Sequence, residues 1–123
     1  MIKALLLVGA GGAAGSCLRY LTSVFMQKWF PYSFPWGTLL ANIAGCLCIG
    51  ILMGYFTRIS PLNNDYRLLL VTGFCGGYTT FSAFAFENFS MIQQGNTNSA
   101  ILYITFSVLG GLLAVMGGYA LTK

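Results

Sequence analysis

Four long apolar runs, at residues 2–27, 36–56, 68–92 and 99–121, alternate with three short polar connectors along the chain. Each run approaches the roughly 20 residues that an α-helix needs to cross about 30 Å of hydrocarbon. The connectors carry stop signals suited to a membrane surface. KWFPYSFP sets two prolines among aromatics, TRISPLNNDYR holds proline, asparagine and charge, and QQGNTN is polar with a glycine. The pattern predicts an all-α integral membrane protein, one domain of four transmembrane helices over residues 1–123. The opening MIKALLLVGAGG mimics a secretory signal, but it runs on into a longer span without a convincing cleavage site and is read as structure.

Composition sharpens this reading. With 57% hydrophobic and 7% charged residues in 123, and a mean hydropathy of +0.77, the chain has too few charges to cover a water-soluble globule. The net charge of +4 comes from Lys3, Arg19, Lys28, Arg58, Arg67 and Lys123 against Asp65 and Glu87. These basic residues do not cluster, so no nucleic-acid footprint forms, and most sit at run ends as interfacial anchors. Lys3, Arg58, Arg67 and Lys123 fall on one side, Lys28 and Arg19 on the other. So weak a bias permits insertion in both orientations without demonstrating it. Cys17, Cys46, Cys48 and Cys75 all lie in apolar segments, with no histidine and no C-x-x-C spacing, so they read as packing residues. Small residues one turn apart, Gly11 and Gly15, Gly50 and Gly54, Gly73 and Gly77, and Gly110, Ala114 and Gly118, predict close helix packing.

Candidate chemistry lies in the polar groups that lipid would exclude. Arg19 either snorkels, makes a structural hydrogen bond or draws an anion. Asn42, in GTLLANIAGC, is either interhelical glue or a donor into a permeation path. Tyr103 and Ser107 share one face of the fourth run, as Thr97 and Thr105 do not. The stretch GFCGGYTTFSAF, residues 73–84, is least suited to a simple anchor. Gly76 and Gly77 lower helix propensity by about 1 kcal/mol each, and the hydroxyls of Thr79 and Thr80 compete for backbone groups, so the third helix is expected to break here. A break frees carbonyls, which suit a small cation such as Na⁺. Beyond it, Phe81 and Phe84 share a helical face, either as packing or as ring edges that meet an anion.

GFCGGYTTFSAF, WGTLLANIAGC and GAAGSCLRY together closely resemble the Fluc (CrcB-type) fluoride channels, over essentially the whole chain. The resemblance implies an antiparallel, dual-topology homodimer in a bacterial inner membrane, with two fluoride pores and a central structural Na⁺. It implies that Phe81 and Phe84 meet fluoride, that Asn42 lines the pore, and that Thr80, Ser82, Tyr103 and Ser107 add hydroxyls. Gly76 and Thr79 would supply Na⁺-binding carbonyls, Arg19 would stand near the aqueous entrance, and Glu87 would place a carboxylate near the pore. Further along the face of Tyr103, Gly111 and Val115 carry no hydroxyl.

A small four-helix proton-coupled multidrug exporter is the rival by class. It needs a titratable carboxylate in its binding chamber, whereas Glu87 is the only carboxylate near a span and the first run has an arginine instead. A non-transporting assembly subunit is the second rival. An enzyme is not expected, with no histidine, G-x-S-x-G, metal-ligand cluster or phosphate loop, and no organic cofactor is implied.

Overall fold

The computed structural model describes residues 1–31, 33–59 and 64–123; Tyr32 and residues 60–63, parts of two predicted connectors, lie outside them. Among the described residues four helical stretches are long and apolar enough to cross a membrane: Ile2–Trp29, Trp36–Arg58, Asn64–Gln93 and Thr97–Thr122. The chain is therefore all-helical and multi-pass. Each stretch outruns its apolar core by one to four residues at its ends, because polar residues such as Lys28, Arg58 and Gln93 continue a helix once the apolar run has ended.

The first span is α1 (Ile2–Trp29) and the second α2 (Trp36–Arg58). The third is composite: α3 (Asn64–Tyr66), a π-helical stretch (Arg67–Cys75), α4 (Gly76–Tyr78) and α5 (Phe81–Gln93). The fourth is α6 (Thr97–Thr122). Gly95, at φ 83°, ends the third span in the left-handed conformation that glycine adopts without a Cβ penalty.

Two parallel pairs of spans build the bundle: α1 against the π-helical stretch and α4, and α2 against α6. Lys3 forms an ion pair with Asp65 at 2.7 Å, and Arg58 Nη1 donates to the carbonyl of Thr122 at 3.4 Å, so the spans meet at one end. In lipid no hydrophobic force draws helices together, and association depends on backbones approaching closely. The predicted small residues supply that approach. A Cβ on Gly77 would lie 2.5 Å from the carbonyl oxygen of Gly12, and one on Gly118 would lie 2.6 Å from that of Leu47 and 2.8 Å from the nitrogen of Ile51. The buried cluster is small, Leu39, Met91, Ala100 and Tyr103, with Phe34, Ile43 and Phe84 packed on it.

Gly117 has open space where its neighbour has backbone, so the pair makes an internal control. Gly118→Ala is expected to destabilise the bundle by about 1–3 kcal/mol, since backbone cannot yield as a side chain can. Gly117→Ala is expected to be neutral or slightly stabilising, by helix propensity. Thermal unfolding of the two variants in detergent, compared with the parent, measures the difference.

Candidate functional site

The third span departs from helix at Thr79 and Thr80, whose backbones are extended at φ −85°, ψ 155° and φ −150°, ψ 125°. The glycine pair itself stays helical, with Gly76 at φ −62°, ψ −36°. Helical backbone at Gly76 and Gly77 follows from packing, because the missing Cβ of Gly77 is what admits Gly12 of α1. Thr80 instead has a side chain that satisfies a backbone N–H freed beside it, that of Ala83.

Asn42 of α2 supplies most of that compensation. Its Nδ2 donates to the carbonyl of Thr80 at 3.0 Å, while the N–H of Thr80 donates to its Oδ1 at 2.7 Å. One carboxamide thus pairs both backbone groups of one extended residue. Thr80 Oγ1 accepts from the N–H of Ala83 at 3.2 Å and so caps α5, and it lies 3.3 Å from Ser82 Oγ. Thr79 Oγ1 returns to the carbonyl of Cys75 at 2.9 Å. On the other flank, Arg19 Nε at 3.2 Å and Ser16 Oγ at 3.4 Å donate to the carbonyl of Gly77. Arg19 thus makes a structural hydrogen bond, one of the roles open to it in the sequence.

This wiring redistributes acceptors. In a continued helix the N–H of Thr80 would go to the carbonyl of Gly76, and that of Ala83 to the carbonyl of Thr79. Both donors are diverted, to Asn42 Oδ1 and Thr80 Oγ1. Among the described residues no three His, Cys, Asp or Glu side chains gather.

Beside the break lies a groove of about 310 Å³ lined by Asn42, Thr79, Thr80, Phe81, Phe84 and Ser107, with Cys46, Ile49 and Val108. Its lining contains no charged residue. The rings of Phe81 and Phe84 lie 5.8 Å apart at 45°, Phe84 partly buried and Phe81 78% exposed. Ser107 Oγ is buried with no hydrogen-bond partner, the kind of group that calls for an explanation.

Glu87, one helical turn beyond Phe84, belongs to a second network. Its Oε2 accepts from Thr38 Oγ1 at 2.9 Å and its Oε1 from the hydroxyl of Tyr103 at 3.0 Å. Tyr103 is wholly buried, edge-on to Phe84 at 5.0 Å and 68° and to Phe34 at 5.4 Å and 67°. Tyr103 and Ser107 are therefore not equivalent rungs, because one hydroxyl is committed to Glu87 and the other is free. Sequence reasoning missed Thr38, although it lies one turn before Asn42 on α2, and that spacing was the available signal. It also missed Asn88, which donates to the carbonyl of Phe84 at 2.9 Å and leaves its buried Oδ1 unpaired.

Asn42→Leu keeps bulk but leaves the part-buried N–H and C=O of Thr80 without their side-chain partner. The expected loss of stability is about 2–6 kcal/mol, from two unsatisfied backbone groups at about 1–3 kcal/mol each. Thermal unfolding in detergent reads it, and an unchanged midpoint would mean that the pairing with Thr80 is dispensable.

Comparison with known proteins places this arrangement. The family described as "CrcB-like protein, Camphor Resistance (CrcB)" matches residues 6–119. A "Fluoride-specific ion channel FluC" of Azobacteroides pseudotrichonymphae is 41% identical over 100% of this chain and 98% of its own length. Proteins of the same name from Flavobacterium psychrophilum and Rhizobium meliloti are 42% and 44% identical, over 99% and 97% of this chain and 98% and 95% of theirs. With its four spans, its small-residue seams and relatives that align from end to end, the chain belongs to the CrcB family.

Proposed function

We propose that the chain is the subunit of a fluoride-selective channel that exports cytoplasmic fluoride passively across a bacterial inner membrane. One observation carries the reading beyond the names of its relatives: the groove beside the break offers neutral hydrogen-bond donors and ring edges, and no charge, to whatever enters it. Fluoride is small and accepts hydrogen bonds strongly, so a path through lipid must replace its water with donors, none so strong that the ion stays. The second N–H of Asn42, the free hydroxyl of Ser107 and the hydroxyl of Thr80 fit that need, with the hydroxyl of Ser82 next to that of Thr80. The rings of Phe81 and Phe84 add positive edges. Arg19 contributes indirectly, by holding the carbonyl of Gly77 at the flank of the break. Hydrogen fluoride enters in acid, and the anion formed inside leaves down its gradient.

The groove opens on the surface of the chain, and Phe81 is exposed at its rim. A second copy inserted in the opposite orientation would cover it, and the antiparallel homodimer with two pores is the assembly we assign. Na⁺ at the centre of that dimer would be held by the carbonyls of Gly76 and Thr79, whose helical donors are diverted elsewhere. It would supply positive charge between the two interrupted helices.

Two measurements test this reading. Vesicles bearing the purified protein are expected to release fluoride, read with a fluoride electrode, without a pH gradient and with chloride retained. Equal release of both halides, or of neither, defeats the proposal, and a strict requirement for proton exchange would favour a carrier. Phe81→Ile and Phe84→Ile are each expected to slow fluoride release at least about tenfold, a barrier rise of about 1.4 kcal/mol or more. Phe81→Ile should cost little stability, because the ring is exposed in the isolated chain, whereas Phe84→Ile loses an aromatic pair worth about 1 kcal/mol.

A further inference from the structure

A second cavity, of about 250 Å³, lies at the end of the bundle where α1 gives way to α2. Its walls include Phe30, Phe34, Trp36, Thr38, Phe86 and Glu87, and no Lys or Arg is among its described lining residues. The aromatic wall is set before any ligand arrives. Phe30 and Phe34 both lie against Trp36, at ring separations of 5.5 and 4.8 Å, and Phe34 is in turn fixed edge-on against the buried ring of Tyr103. Glu87 is only half-buried, and each of its oxygens accepts one hydroxyl, from Thr38 and from Tyr103. A carboxylate accepts at about four lone-pair positions, so about two remain for a ligand.

The signs decide the class of occupant. Aromatic faces are negative, tryptophan most effectively so, and they attract a cation that can sit on them without hydrogen bonds. An anion would meet ring faces and a carboxylate of the wrong sign. A hard metal ion wants about six oxygen ligands, and Glu87 is the one carboxylate among the described lining residues, whose other side-chain oxygens belong to neutral hydroxyls and amides such as Ser23, Gln27, Ser33, Ser90 and Gln94. The volume falls below the roughly 300–1,000 Å³ of pockets for drug-sized ligands, so the occupant is small. We propose that this pocket binds a small organic monocation of the tetraalkylammonium type, seated on Trp36 and its neighbouring rings with its charge beside Glu87.

Tetramethylammonium is the suitable probe, because it has no N–H and reports ring faces and charge alone. Saturation transfer from the purified protein to its methyl protons, at constant ionic strength, is expected to be saturable. Glu87→Gln is expected to raise Kd about tenfold through loss of the partner charge, and Trp36→Leu about fivefold through loss of the ring face. Trp36→Phe, which keeps a ring and so guards against a mere folding defect, should stay within about threefold of the parent. Transfer that does not saturate, or that is the same in Glu87→Gln, Trp36→Leu and the parent, would overturn the proposal and assign the signal to the detergent. Binding is read in the absence of fluoride. A chain that binds the cation but carries no fluoride therefore refutes the channel reading alone, and one that carries fluoride but binds no cation refutes the pocket alone.

Discussion

The pairing of the Asn42 carboxamide with Thr80 is the interaction on which the other features of the site depend. In hydrocarbon an unpaired backbone N–H or C=O costs several kcal/mol, so a membrane helix can open only where protein groups replace its ladder. Here Asn42 replaces the ladder at both backbone groups of Thr80, and Arg19 and Ser16 serve the carbonyl of Gly77. Extended backbone at Thr79 and Thr80 thereby becomes affordable at membrane depth. It also resets the helical phase, so that Phe81 and Phe84 enter α5 facing Ser107 of α6 across one groove.

That pairing requires α2 to lie close to the third span, and the glycine seams make this possible. Gly45 of α2 leaves room where a side chain would collide with Thr79, while Gly11 and Gly15 of α1 press against backbone of the π-helical stretch and α4. Each seam contributes only van der Waals contact, which individually is worth about 0.1–0.2 kcal/mol per atom pair but accumulates over a whole span. Dispersion along the seams therefore sets the distances, and hydrogen bonds at the break use them. Neither would suffice alone, since a loosened seam would carry Asn42 out of reach of Thr80.

Much of this was legible in the residues. Charge-poor runs of helical length give the spans, and GGYTT beside an intramembrane asparagine locates the break to within a few positions. Which residues of GGYTT would open was not legible, because propensity weakens the glycines while the threonine hydroxyls compete for backbone groups. The missing side chain of Gly77 is instead used for packing, and Thr79 and Thr80 take the break, with the hydroxyl of Thr80 capping the helix that follows. The π-helical stretch also escaped notice, since RLLLVTGFC has the same apolar pattern in either helix type. The grip of Thr38 and Tyr103 on Glu87 joins three spans, and no periodicity within one run reveals such a contact.

Glu87 poses the sharpest electrostatic question at the site. An anion held about 4 Å from an ionised carboxylate meets a repulsion of about 4 kcal/mol at an effective dielectric of 20, near three decades in occupancy. Thr38 and Tyr103 cannot relieve it freely, for a hydroxyl that donates to Glu87 is not donating to the passing ion. The neutral groove and the carboxylate thus define two zones of opposite preference less than two helical turns apart, joined by the ring of Phe84 and the buried Tyr103. Positive charge gathered in the aromatic pocket beside Glu87 would offset the repulsion without entering the groove.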